Sequence, residues 1–131
     1  MNETWTPIAK TPLLLAYIKK LLEYENVEIE FEPETLQVSS YCTCGEEDCA
    51  TVNLHSVKRW KKDTHDCKPQ KGILFIHFEE DGWIELEALS YISYPYKDEL
   101  IRVFKGDFSP PSDEEWEKLE CYFQAEYPQT K

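Results

Sequence analysis

The run Ile73-Leu74-Phe75-Ile76-His77-Phe78-Glu79 is followed by Glu80-Asp81-Gly82 and then by Trp83 to Tyr91. Two strand-forming runs separated by an Asp-Gly turn form a hairpin, and a hairpin pairs its strands antiparallel. The first run reads as a well-buried central strand. In the second, Ile84, Leu86 and Ala88 alternate with Glu85 and Glu87, the period of two expected where one sheet face is covered and the other is wet.

The rest of the chain supplies the layers for this sheet. Val27-Glu28-Ile29-Glu30-Phe31-Glu32 alternates strictly and predicts a strand ended by Pro33. Leu36 to Tyr41 and Thr51 to Val57 read as two more strands, and Ile101 to Phe104 as a short one. A helix is predicted from Pro12 to Glu25. Thr11 serves as its N-cap, Pro12 takes the first helical position, and Leu14, Tyr17, Ile18, Leu21 and Leu22 share one face. A second helix starts at Ser112, which forms a capping box with Glu115, and buries Trp116, Leu119, Phe123 and Tyr127. The expected fold class is α+β: an antiparallel sheet of about 4–6 strands with an N-terminal and a C-terminal helix.

At 131 residues, 41% of them apolar and 14% aromatic, residues 1–131 are expected to form a single domain with its own core. The N-terminus lacks the basic and apolar regions of a secretory signal, and no apolar run approaches the roughly 20 residues that cross a bilayer. The expectation is therefore a cytoplasmic protein without a membrane partner. A net charge of −12 opposes direct contact with nucleic acid and favours a basic protein as partner. The charge is uneven. Lys58, Arg59, Lys61, Lys62, Lys68 and Lys71 face only Asp63 and Asp66 in their stretch, a local +4 that leaves −16 on the rest of the chain.

Five cysteines without an export signal predict reduced thiols rather than a disulfide framework. Cys42, Cys44 and Cys49 fall in one Gly-containing connection, and a turn of that kind can aim several thiolates at one ion. With Cys67 as the fourth ligand, or His65 in its place, they make a candidate structural zinc site. The single-residue spacing of Cys42 and Cys44 departs from the usual Cys-x-x-Cys, and free thiols are the competing reading.

The acidic residues suggest an interaction surface. If Val27, Ile29 and Phe31 point inward, Glu28, Glu30 and Glu32 form an outward row at about 6.6 to 6.8 Å intervals. Glu85 and Glu87 would add a second row on the same sheet face. Alternating glutamates also serve simply to keep a sheet wet and its edges unpaired. A compact acidic α+β chain with glutamates displayed on strands resembles the small bacterial immunity proteins that neutralise basic toxins, often nucleases. Phage proteins that disable host defence nucleases have the same character. The resemblance implies an inhibitor whose acidic sheet face meets a basic cleft, with Trp60, Trp83, Tyr94 and Tyr96 as aromatic anchors.

Two alternatives compete with this reading: a small zinc-binding protein with an interaction role, and a thiol-dependent enzyme using Cys42 or Cys44 with His55 or His65. No phosphate-binding glycine loop, His-Glu-x-x-His or Gly-x-Ser-x-Gly is present. His77, inside the central strand, reads as a core histidine. Trp60 among lysines would suit base stacking, but the surrounding negative charge opposes it.

Overall fold

The computed structural model describes residues 5–42, 49–57, 62–71, 73–89 and 94–128. In chain order it contains β1 (Thr6–Pro7), α1 (Pro12–Tyr24), β2 (Gln37–Tyr41), β3 (Val52–His55), β4 (Asp63–Asp66), β5 (Ile73–Phe78), β6 (Trp83–Leu89), α2 (Lys97–Phe104) and α3 (Asp113–Glu126). The strands form one antiparallel sheet in the order β1-β2-β3-β6-β5-β4, so β1 and β4 lie at its edges. The α+β class and the helices near both ends agree with the sequence.

The expected hairpin is β5–β6, in register from Phe78 opposite Ile84 to Ile73 opposite Leu89. Gly82 has φ +96°, and a Cβ there would lie 2.5 Å from the Ser56 carbonyl oxygen, so the turn needs glycine both for its backbone and for its closeness to the end of β3. Leu74, Ile76, Phe78, Ile84, Leu86 and Ala88 point to one face and share a core with Leu14, Tyr17, Leu21, Leu100, Leu119 and Phe123 of the three helices. All three helices therefore cover the same side of the sheet. The opposite side carries His77, Trp83, Glu85 and Glu87, alternating with these core residues and only partly exposed.

Tyrosines fill the junction between α1, α2 and α3. Tyr17 and Tyr96 are fully buried, with ring centroids 4.7 Å apart. The Tyr17 and Tyr122 hydroxyls share a hydrogen bond of 2.9 Å, and the Tyr96 hydroxyl donates to the Ala50 carbonyl at 2.6 Å. Each buried hydroxyl thus has a partner, as a low-dielectric interior requires.

Three local expectations are corrected, and one strand forms where the sequence shows no strand pattern. Residues 27–32 keep the alternation of inward apolar and outward acidic side chains, but they form no strand. The chain leaves α1 through Asn26 at φ 55° and bends at Glu30 and Phe31, with Phe31 buried in the core, and the segment joins no ladder of the sheet. Alternation records a covered face, whereas a strand also needs a ladder partner. Ile101 to Phe104 belongs to α2, whose buried apolar residues, Leu100 and Val103, are three apart. Within the basic stretch, Asp63–Asp66 forms β4 without any apolar alternation, by pairing with β5. Finally, the Thr11 hydroxyl does not cap α1 but donates to the Ile8 carbonyl at 3.1 Å.

The cap comes from elsewhere in the chain. Glu99 of α2, 1% exposed, accepts the Leu13 and Leu14 backbone N–H groups with its two oxygens, each at 2.9 Å. These are among the first N–H groups of α1 that have no partner within the helix. Burial pushes the Glu99 carboxyl above its ordinary 4.5, against the pull of these two bonds and of the Arg102 charge. The capping box of α3 is as expected: Ser112 accepts from the Glu115 N–H and Glu115 accepts from the Ser112 N–H.

Candidate functional site

An open groove of about 880 Å³ lies on the helix side of the sheet, between β4 and the segment leaving α1. Leu22, Val27, Ile29 and Phe78 supply apolar surface, and Glu23, Glu28, Glu30 and Asp63 supply four carboxylates. Among the described lining residues Lys19 is the one lysine or arginine, and its ammonium is held by Glu34 at 2.6 Å. The groove is therefore a strip of hydrocarbon rimmed by negative charge. This arrangement follows from the local sequence: the alternation in 27–30 turns Val27 and Ile29 inward and Glu28 and Glu30 outward, whether or not a strand forms.

The groove wall formed by β4 is an edge strand whose backbone is partly occupied. The Asp63 carboxylate accepts the Thr64 N–H at 2.9 Å, and Asp63 and Asp66 are exposed. Charged, self-bonded edges resist the addition of another strand. The groove is suited to meeting a partner with its side chains rather than by extending the sheet.

The structure divides the nine residues expected at the interface. Glu28 and Glu30 line the groove, and Glu32 follows them outward on the same segment. Glu85 and Glu87 lie on the other side of the sheet, so the two acidic rows do not share one face. The reason is that Ile29 and Phe31 pack on the same core as Ile84 and Leu86, so the glutamates of the two segments point away from that core in opposite directions. On the far face His77 lies between neighbours instead of in the core, with Nδ1 3.1 Å from the Thr64 hydroxyl and Nε2 2.8 Å from Glu87. Trp83 is also there, packed edge-on against Trp5 at 5.2 Å and His55 at 5.0 Å. Tyr94 and Tyr96 are 3% and 0% exposed and cannot act as surface anchors, because they fill the core beside Tyr17. Trp60 lies outside the described residues.

The cysteines are similarly dispersed. Cys42 follows β2 and Cys67 follows β4, strands separated by β3, β6 and β5, a span of roughly 19 Å at ordinary strand spacing. Cys49 bridges to Leu89 on the β3 side of β6, which leaves it about three strand spacings, roughly 14 Å, from the line of Cys67. Cys42, Cys49 and Cys67 therefore do not converge on one ion, and Cys44 lies outside the described residues. His65 and Cys67, the two alternatives for a fourth ligand, are instead neighbours of one another.

Their neighbour is Glu25, at the C-terminal end of α1. Among the described residues, Glu25, His65 and Cys67 are the one group of at least three carboxylate, imidazole and thiol side chains whose ligand atoms converge, all within 4.8 Å. Glu25 Oε1 is 3.0 Å from His65 Nε2, while Oε2 accepts the Lys68 N–H at 2.7 Å and the Tyr127 hydroxyl at 2.6 Å. Burial opposes ionisation of Glu25, but the hydrogen bonds from Tyr127, Lys68 and His65 outweigh it and hold the carboxyl below its ordinary 4.5. Burial, aided by the charges of Glu25 and Asp66, pushes the Cys67 thiol up to about 12. Such a thiol is a poor nucleophile at neutral pH. His65 also lines the groove, so this group sits behind the groove wall.

As site residues, Glu25, Tyr127 and Glu99 are not marked by the sequence, where Tyr127 reads only as part of a buried helix face. Glu25 reads there as the polar end of a helix, and its partners are 40 and 102 residues away. No local pattern announces such contacts.

No protein-family model matches the chain, and neither do the curated proteins or the solved structures with which it was compared. No helix among the described residues is long and apolar enough to cross a membrane. Fold and site together define an α+β protein with an acid-rimmed apolar groove.

Proposed function

We propose that the chain is an acidic binding protein of the immunity or anti-defence type, and that it inhibits a basic toxin or nuclease by engaging it along the groove. The observation that carries this reading is the pairing of four carboxylates with an apolar floor, unopposed by any free lysine or arginine along the described lining. A partner loop with lysine or arginine on either side of an apolar residue fits that chemistry. The carboxylates steer its approach and set its register, and burial of the apolar residue supplies affinity. Glu23, Glu28, Glu30 and Asp63 form the contact surface, and Glu85 and Glu87 lie outside it.

The experiment is affinity capture at low ionic strength with three forms of the protein. Wild type and Glu85→Lys/Glu87→Lys are expected to retain the same basic protein, while Glu28→Lys/Glu30→Lys loses it. Retention by the groove variant, or loss with the far-face variant, would place the interface elsewhere.

A further inference from the structure

We propose that Glu25, His65 and Cys67 bind one zinc ion through Glu25 Oε1, His65 Nε2 and Cys67 Sγ. The inference is independent of the basic-partner reading, because it rests on a different set of atoms. Three features support it.

The first is donor chemistry. One carboxylate oxygen, one imidazole nitrogen and one sulfur are a set that zinc accepts, whereas calcium and magnesium prefer oxygen alone. A thiolate and a carboxylate together carry the two negative charges that a divalent ion neutralises, and the thiol proton passes to solvent on binding.

The second is geometry. His65 and Cys67 are two apart along one strand line, so both side chains fall on the same face, and Glu25 arrives above them from the end of α1. The 3.0 Å between Glu25 Oε1 and His65 Nε2 is close to the edge of a tetrahedron with metal–ligand bonds of about 2.0–2.1 Å, roughly 3.3 Å. The three ligand atoms lie within 4.8 Å of one another, so closing on an ion asks for relative shifts of about 1–1.5 Å.

The third is the support around the carboxylate. Tyr127 and the Lys68 N–H both hold Oε2, which fixes the plane of the carboxylate and leaves Oε1 directed at His65. Metal-ligating carboxylates are held by outer partners in this way. The Glu25 side chain is 6% exposed and Cys67 4%, while His65 is 31% exposed and opens onto the groove. A fourth position, left for water, falls on that side. The bound ion would tie α1, β4 and the end of α3 together at the groove wall.

The test uses the full chain, stripped with chelator under reducing conditions and titrated with Co²⁺ as a spectroscopic substitute, then with Zn²⁺ followed by native mass spectrometry. One ion per chain is expected, with a thiolate-to-cobalt charge-transfer band. Cys67→Ser removes the band, His65→Gln weakens binding at least tenfold, and Tyr127→Phe weakens it about tenfold through loss of carboxylate support. Joint replacement of Cys42, Cys44 and Cys49 by Ser leaves all of this unchanged. Near-UV circular dichroism confirms folding of each variant, and if Cys67→Ser fails to fold, the half-exposed His65→Gln decides. The proposal is overturned if one equivalent of Co²⁺ gives no thiolate band. It is equally overturned if the band survives Cys67→Ser, if it is lost with the triple serine variant, or, where His65→Gln decides, if that variant binds Co²⁺ as tightly as wild type.

Discussion

The buried carboxylate of Glu99 offers a quantitative test of how this fold is held together. Its two oxygens accept two N–H groups at the start of α1, 85 and 86 residues away in sequence. Because burial raises its pKa, ionisation itself gives the folded state no advantage over the unfolded chain. The value of Glu99 lies in having two acceptor atoms. Glu99→Gln keeps the shape but turns one acceptor into a donor facing an N–H, which leaves that buried group unpaired at a cost of about 1–3 kcal/mol. A central value near 2 kcal/mol corresponds to a fall in Tm of roughly 6 °C for a chain of this size. Urea unfolding followed by tryptophan fluorescence measures the difference. The sign of its pH dependence is also fixed. Since the folded pKa of Glu99 is raised, wild type gains stability from this group as pH falls from neutral toward 4.5, and the variant has no such term. The gap between the two therefore widens on acidification. A variant within 0.5 kcal/mol of wild type, or a gap that narrows as pH falls, would refute the argument.

Other features give sharper local tests. Gly82→Ala meets both the positive φ and the Ser56 carbonyl oxygen, and is expected to cost about 2–3 kcal/mol, read by the same unfolding assay. Ser112→Ala removes one half of the capping box of α3 and should cost about 1 kcal/mol, with the loss of helicity confined to residues 113–116 by amide exchange. Burial opposes ionisation of Glu115, but the Arg102 guanidinium at 2.8 Å and the Ser112 N–H hold its carboxyl below 4.5. Its contribution is therefore present above pH 4.5 and disappears as pH falls through the folded value, so the stability difference between wild type and Arg102→Gln narrows in acid.

The parts of the fold that sequence made legible are those whose signals are local. The β5–β6 hairpin is written in two apolar runs and an Asp-Gly turn, α1 in its apolar stripe, and α3 in Ser112 and Glu115. The segment 27–32 shows where locality ends: side-chain alternation correctly gave which residues face the core, but the missing ladder depends on which edges the sheet leaves available. β4 has the opposite history, since Asp-Thr-His-Asp has no strand pattern and pairs only because β5 lies beside it. Tyr94 and Tyr96 sit next to Pro95 in what reads as a surface loop, yet α1 brings Tyr17 against them and makes them core. The candidate site was legible in half. Glu28 and Glu30 follow from alternation, whereas Glu23, Asp63 and the Glu25–His65–Cys67 group are assembled by contacts between distant segments.

The acid-rimmed groove is expected to receive a basic, partly apolar segment. Its most direct measurement is a ¹H–¹⁵N chemical-shift titration of the labelled full chain with a short capped peptide of alternating lysine and leucine, at low salt and again near 1 M salt, where screening acts beyond roughly 3 Å. The expected shifts concentrate at Glu23, Val27 to Glu30, Asp63 and His65, collapse at high salt and are absent in Glu28→Lys/Glu30→Lys. Shifts centred instead on His77, Glu85 and Glu87, or a groove that does not respond at low salt, would contradict it.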